Sequence, residues 1–353
     1  MSIDSKIEKV YKDMSGSTAK NRLTIQISFA VKLIVDIYSI EDFTIFLDCI
    51  EDVAVKTISA GNEKITLYQI KSKKNSTFTL NYMIAEEWLQ KLYKHTQEFA
   101  GLDYEIALVS NTEITDGGTV LFPNEKSSIS SDIIDEDNAR LTKIKKCISK
   151  NENIDLEKVD LSNFYVIKTN LHTDTHKDQA RQIFSDFIAN IDPNAEYSKI
   201  KAFFIALYDT LDAKFNCEIN PKNTDFNEIT QKKGYTKNEF EQALQAFLNS
   251  SIPKNSELFS LLNITSISEQ REIVAGRGSF LMDLVKMDEP FKILLSELLG
   301  FINNANTSTL IKSCVDYVFT NEKISPIYKT PSYIKFATAY MYYQFINGGI
   351  ISE

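Results

Sequence analysis

The spacing of apolar residues changes several times in the first 110 positions, and this succession restricts the fold more than any bulk property does. After a polar N-terminal arm, "SGSTAKNRLTIQISFAVKLIVDIYS" opens with Ser and Gly punctuation. It then places Leu23, Ile27, Ala30, Val31, Ile34, Val35 and Tyr38 at helical intervals. "FTIFLDCIEDVAVKTIS" and "EKITLYQIKSK" are β-branched, aromatic-rich runs separated by "AGNE", which predicts a hairpin. A longer helix is predicted through "YMIAEEWLQKLYKHTQEFA", then a short buried strand at "YEIALVSN". Helix, strand, strand, helix, strand is the order of an α/β domain.

Residues 111 to 160 are polar and read as an insertion holding a helix around Ala139 to Ser149; "NFYVIKTN" predicts another strand and "HKDQARQIFSDFIANI" another helix. Beyond these the periodicity is helical almost throughout, as in "KNEFEQALQAFLNS" and "FLMDLVKMDEPFKILLSELLGFINN". The expected organisation is an α/β domain over 1–215 and an all-helical domain over 216–353 for partner docking or oligomerisation. A chain of 353 residues suits two domains. No stretch has the uninterrupted apolar length of a membrane span, and the N-terminus lacks the apolar segment of a secretory signal, so a soluble cytoplasmic protein is expected.

Cys49, Cys147, Cys217 and Cys314 lie too far apart for a C-x-x-C zinc set and read as reduced thiols. His172 and His176 have a chelating interval, but surface residues leading into a helix is the better reading. Lys and Arg number 39 against 48 Asp and Glu, a formal charge of −9. That weighs against a protein coating nucleic acid through overall charge, while leaving room for a local basic groove.

The polar residues of "LYQIKSKK" need a reason. In a strand Leu67, Gln69 and Lys71 share one face and Tyr68 and Ile70 the other, so an amide and an ammonium point the same way beside apolar neighbours. Burying both is costly unless something satisfies them. The predicted hairpin sets Asp52 on the first strand against Gln69 and Lys71 on the second, and adjacent strands are about 4.8 Å apart. A carboxylate and a carbonyl oxygen can hold Mg²⁺ with a substrate phosphate, and a lysine can orient water or stabilise charge on phosphoryl oxygens. Two other readings stand beside this one: Glu51 as the ligand with Asp52 ending a strand, and Gln-x-Lys as the solvated face of an edge strand.

Asp, then a hairpin, then Gln-x-Lys resembles the PD-(D/E)xK restriction-endonuclease-like superfamily, in the branch with Gln in place of the usual Glu. "SGSTAKNRLTIQISFAV", "FLDCIEDVAV", "LYQIKSKK" and "IALVSN" together resemble the double-stranded DNA endonuclease domain of bacterial antiphage effectors. That domain occurs in CD-NTase-associated effector nucleases and in the Lamassu defence nuclease. The resemblance covers about the first 215 residues. It implies a restriction-endonuclease-like mixed sheet flanked by helices, with Mg²⁺ or Mn²⁺ as cofactor. Asp52 and the Gln69 carbonyl are the implied ligands, with Glu51 the less favoured alternative, Lys71 the catalytic lysine and Gln26 a further residue aimed at the metal. With Gln at 26 and 69, negative charge comes only from Asp52 and Glu51, so weak metal binding without DNA is expected. Lys73 and Lys74 are candidate DNA-backbone contacts, and Asn111 a candidate groove residue or a simple turn.

The helical C-terminal half does not resemble the cyclic-nucleotide-sensing domain that accompanies many such nucleases. "GRGS" at 276–279 reads as a loop rather than a phosphate cradle, and "YIKFATAYMYYQFINGG" as a core-facing final helix or a docking surface. The implied function is a double-stranded DNA endonuclease subunit of an antiphage complex, held inactive by an SMC-like ATPase and active as a homo-oligomer on release. A HerA-like ATPase is the alternative partner, and a non-catalytic DNA–ATPase adaptor the alternative class.

Overall fold

The computed structural model describes residues 2–13, 24–74, 76–134, 138–220, 224–249, 253–305 and 309–347. Helices α1 (Ile3–Asp13) and α2 (Ile25–Ile37) precede strands β1 (Asp42–Leu47), β2 (Val53–Ser59) and β3 (Asn62–Lys71). Strand β4 (Phe78–Thr79) leads into α3 (Leu80–Ala85), α4 (Trp88–Tyr93), α5 (His95–Glu98) and then β5 (Asp103–Ser110). Next come β6 (Ile114–Asp116), β7 (Thr119–Val120), β8 (Lys126–Ser128), α6 (Ala139–Glu152), β9 (Phe164–Lys168), α7 (His176–Ile191) and α8 (Tyr197–Phe215). After α9 (Phe226–Lys233) and β10 (Gly234–Thr236), α10 (Lys237–Asn249), α11 (Asn255–Leu261) and α12 (Ile267–Lys286) follow. The chain continues through α13 (Glu289–Ile302), α14 (Leu310–Thr320) and α15 (Pro331–Ile346).

Contacts divide the chain into two units, Met1–Phe187 with Tyr208–Lys237, and Ile188–Leu207 with Asn238–Glu353. The first holds a seven-stranded mixed sheet in the order β10-β1-β2-β3-β5-β9-β8. Strands β1, β2 and β3 are antiparallel neighbours, β5 and β9 continue parallel, and β10 and β8 close the two edges antiparallel. Ser59 pairs with Asn62 around Ala60 and Gly61, both at positive φ (49° and 83°). That two-residue turn follows the twist of the strands it joins, and glycine meets its left-handed demand without strain.

The alternation of β3 directs two packed layers. Leu67 joins one core with Ile3 and Ile7 of α1, Trp88 and Leu92 of α4, and Ile144 of α6. Tyr68 points the other way, its ring edge-on to Phe29 of α2 at 5.4 Å. On that face Tyr38 meets Phe187 at 5.5 Å, and the Tyr208 hydroxyl donates to the Thr24 carbonyl at 3.0 Å.

Several expectations change. The N-terminal arm forms α1, with Ile3, Ile7 and Val10 buried. The run expected as one strand from Phe43 to Ser59 is two, β1 and β2, separated by a turn over 48–52 that starts with Asp48 at φ 47°. Cys49 and Ile50 are buried from within that turn, which is why its apolar pattern imitates a strand. The single long helix is three short ones, broken at Glu87 (φ 57°). The segment read as an insertion supplies β8, an edge of the main sheet. Leu23 lies outside the described residues. The unit boundary also falls beyond 215: β10 pairs with β1, Phe226 of α9 meets Phe46 at 6.0 Å, and Ile229 joins the sheet core.

The second unit is helical. Phe280 of α12 packs against Phe291, Tyr333, Phe336 and Tyr340 with ring centroids 5.0 to 5.9 Å apart. Helix α15 is buried around its circumference (Tyr333, Ile334, Phe336, Ala337, Tyr340 and Met341), so it is a central helix rather than a one-sided one. "GRGS" is not a loop but lies inside α12. A Cβ on Gly276 would sit 2.2 Å from the Ser332 carbonyl oxygen, so glycine is what permits the approach of α15. Among the described residues no helix is long and apolar enough to cross a membrane.

Candidate active site

The end of β3 and the turn before β2 bring the acidic and amide residues together. Val53 is registered with Tyr68, so residues just before β2 lie beside the last residues of β3. Asp52 thus stands at the end of a turn rather than within a strand, and its Oδ2 accepts the Ile70 N–H at 2.6 Å. Gln69 Nε2 donates to Glu51 Oε2 at 3.4 Å. With the amide nitrogen engaged there, the Gln69 carbonyl oxygen is directed away from Glu51. It is buried and has no hydrogen-bond partner among the described residues.

The sequence reading missed what holds Glu51. Oε1 of Glu51 lies 2.7 Å from Nε2 of His95, a fully buried imidazole whose Nδ1 makes a short hydrogen bond to Glu98. Burial opposes charge on His95, but hydrogen bonds and attraction from Glu51 and Glu98 outweigh it and raise its pKa above the ordinary histidine value. Burial likewise opposes charge on Glu98, and His95 reverses the balance, lowering its pKa. A Glu three residues after a histidine on a helix is a local signal that was available, but the partner that matters, Glu51, is distant in sequence.

Lys71 lies on the same side of β3 as Gln69, and its Nζ is 5.4 Å from the ring centroid of Trp88. Trp88 was also not anticipated. Cys49, in the turn, is pushed up to about 12 by burial and stays a neutral thiol.

The remaining candidates have other local tasks. Asn111 is buried, its Oδ1 accepting the Lys73 N–H at 2.9 Å and its Nδ2 donating to the Lys73 carbonyl at 3.0 Å. Lys73 Nζ donates to the Thr77 carbonyl at 3.2 Å and lies over the rings of Phe78 and Tyr82, 5.1 and 5.3 Å from their centroids. Lys74 forms an exposed ion pair with Asp174 at 2.8 Å. Gln26 is buried on α2, the helix that packs on the Tyr68 side of β3 and so opposite Gln69 and Lys71; its carbonyl oxygen also lacks a partner among the described residues. His176 opens α7 with its ring nitrogens 2.8 Å from Ser28 Oγ and 3.3 Å from Thr24 Oγ1. His172 precedes that helix, so the two histidines do not share a helical face.

Among the described residues no group of three or more His, Cys, Asp or Glu side chains is arranged to hold a metal. The end of β3 offers a mixed set of oxygens instead: the carboxylate of Asp52 and the Gln69 carbonyl, which has no partner among the described residues. Leaving a buried acceptor unpaired costs about 1–3 kcal/mol. Hard divalent cations take carboxylate, amide carbonyl and water oxygens, so these residues fit Mg²⁺ or Mn²⁺ in chemistry.

A family model described as the Cap4 dsDNA endonuclease domain matches residues 14–214. A curated relative, the Lamassu protein LmuA of Bacillus cereus (strain VD014), is 30% identical over 244 residues, 66% of this chain and 64% of that protein. The chain therefore spans less than two thirds of the length of that relative. Among solved structures, the Acinetobacter baumannii Cap4 SAVED/CARF-domain receptor with 2'3'3'-cAAA aligns over 66% of this chain and 46% of its own, at 15% identity and a TM-score of 0.39. The same receptor with 3'3'3'-cAAA aligns over 64% and 43%, at 14% identity and a TM-score of 0.37.

Proposed function

The chain belongs to the Cap4 dsDNA endonuclease domain family, and from that premise we propose that it is the metal-dependent, duplex-cutting subunit of a bacterial antiphage system. The observation that carries this reading is the buried carbonyl oxygen of Gln69, which has no hydrogen-bond partner among the described residues, on the strand face shared with Lys71 and next to the turn that carries Glu51 and Asp52. Asp52 and Gln69 would hold Mg²⁺ or Mn²⁺. Such a cation, when bound, polarises a phosphodiester and lowers the pKa of water enough to supply hydroxide at neutral pH.

The chain's own residues would do the rest. Lys71, its ammonium near the indole of Trp88, would stabilise charge developing on the non-bridging phosphoryl oxygens. Lys74 would exchange its partner Asp174 for a DNA phosphate at little cost, since water and salt screen so exposed an ion pair. Lys73 adds positive charge to the same loop, and Asn111 would act on DNA by fixing that loop. Gln26 is left out of this set, because α2 packs on the Tyr68 side of β3, opposite Gln69 and Lys71.

The relation to LmuA supports a role in a Lamassu-type system. Within it, an SMC-like ATPase complex would hold the nuclease inactive and release would allow homo-oligomerisation on duplex DNA, with a HerA-like ATPase as the alternative partner. The test incubates the purified chain, alone and with the products of neighbouring genes, with supercoiled plasmid and Mg²⁺ or Mn²⁺. Cutting is expected only with the metal and is expected to be lost in Asp52→Ala and Lys71→Ala. Variants that cut as fast as the parent would sink the residue assignment. A parent that never cuts in any combination would leave the adaptor reading standing.

A further inference from the structure

We infer that His95 is a positioning residue of this site: through Glu51 it fixes the amide of Gln69 so that the carbonyl oxygen, not the N–H, faces the cation. The inference rests on the metal-dependent reading above and deepens it. An amide side chain can present either end, and only the carbonyl end is a ligand for a hard cation. The choice at Gln69 is made by Glu51, whose Oε2 takes the Gln69 N–H at 3.4 Å.

Glu51 can make that choice only if it does not swing. Its other oxygen is held at 2.7 Å by His95, and His95 is anchored in turn by Glu98 on the same short helix α5. The imidazole is fully buried, so it is not there to meet solvent or substrate. A purely stabilising role accounts poorly for it, because replacing a buried charged set with apolar residues is often neutral or stabilising. The chain from Glu98 through His95 and Glu51 to Gln69 instead resembles the outer hydrogen bonds that orient metal ligands, whose removal weakens metal affinity about 10–100-fold.

Two substitutions at one position separate the arms of this chain. His95→Gln can reach Glu51 in place of Nε2 but leaves Glu98, whereas His95→Asn can keep the bond to Glu98 but falls short of Glu51. Mn²⁺ alone is titrated into the full-length protein and free Mn²⁺ is read by electron paramagnetic resonance, with circular dichroism checking the fold. His95→Asn is expected to weaken Mn²⁺ binding about tenfold or more, and His95→Gln about threefold at most. Equal affinity in the parent and both variants overturns the role of His95 alone, leaving the metal site intact. Where the parent binds Mn²⁺ only with an uncleavable phosphorothioate duplex present, the three proteins are compared with that duplex, and a parent that binds no Mn²⁺ with or without it overturns the metal reading and this inference with it. Should both variants fail to fold, Glu51→Gln carries the test: its carbonyl can serve His95 only by turning its NH₂ toward the Gln69 N–H. Unchanged Mn²⁺ affinity in that variant overturns the inference, and a loss of about tenfold supports it.

Discussion

The carboxylate of Asp52 accepts the backbone N–H of Ile70 at 2.6 Å, a bond that fastens the turn before β2 to the stretch of β3 between Gln69 and Lys71. It gives one residue two separable properties, an acceptor that shapes the turn and a charge. Asp52→Asn keeps an acceptor of the same size and should fold like the parent, while metal-dependent DNA cleavage falls roughly a hundredfold. Asp52→Ala loses both and should also unfold about 1–3 kcal/mol more easily in urea. Cleavage by Asp52→Asn at the parental rate would remove Asp52 from the ligand set.

Asn111 uses both ends of its amide on the backbone of Lys73 while itself buried. Asn111→Ala should leave the Lys73 N–H and carbonyl without those partners and lower unfolding stability by about 1–3 kcal/mol. Asn111→Asp keeps the acceptor but replaces the donor with a second oxygen facing the Lys73 carbonyl, and should be no better. Urea midpoints of the three proteins decide this; a midpoint unchanged in Asn111→Ala would show that the loop holds without the clamp.

Within the helical unit, Gly276 allows α12 and α15 to approach. Because its Cβ would meet the Ser332 carbonyl oxygen at 2.2 Å, backbone rather than a pliable side chain would have to move. Gly276→Ala should therefore destabilise by about 1–3 kcal/mol despite alanine's better helix propensity, whereas Gly278→Ala, with open space around it, should be neutral or slightly stabilising. Thermal melts of the two variants side by side test the contrast.

Glu297 accepts hydrogen bonds from Tyr317, Asn321 and Lys323, and these, led by the Tyr317 hydroxyl, lower its pKa to about 2. A carboxyl depressed on folding contributes stability that is fully present above its unfolded value near 4.3 and is lost as pH falls toward about 2. The acid side of the stability profile should thus be flatter in Glu297→Gln than in the parent between those limits. Carbon-13 NMR of the Glu297 carboxyl should show a midpoint well below that of exposed glutamates; an ordinary midpoint would contradict the three hydrogen bonds.

Much of the sheet is written locally. The alternation of "KITLYQIK", the turn at Ala60 and Gly61, and the apolar face of α2 are decided by neighbours in sequence, and each element forms where its pattern predicts. Grouping Asp52 with Gln69 on adjoining segments was legible for the same reason. What the pattern hides is set by distant partners. Cys49 and Ile50 are apolar because a turn folds them inward, so "DCIED" passes for strand. The break at Glu87 has no glycine or proline to announce it. His95 gains its meaning only when the turn before β2 and α5 are brought together, a pairing that no short window of the sequence contains.

Strand β10 closes the edge of the sheet along β1, yet it lies beyond α8 and α9 in the chain. On the ribosome, β1 to β3 therefore emerge long before the segment that covers them. Through that interval β1 carries a row of unpaired backbone groups able to join another nascent copy. The last strand to arrive sets when the sheet becomes safe from its neighbours.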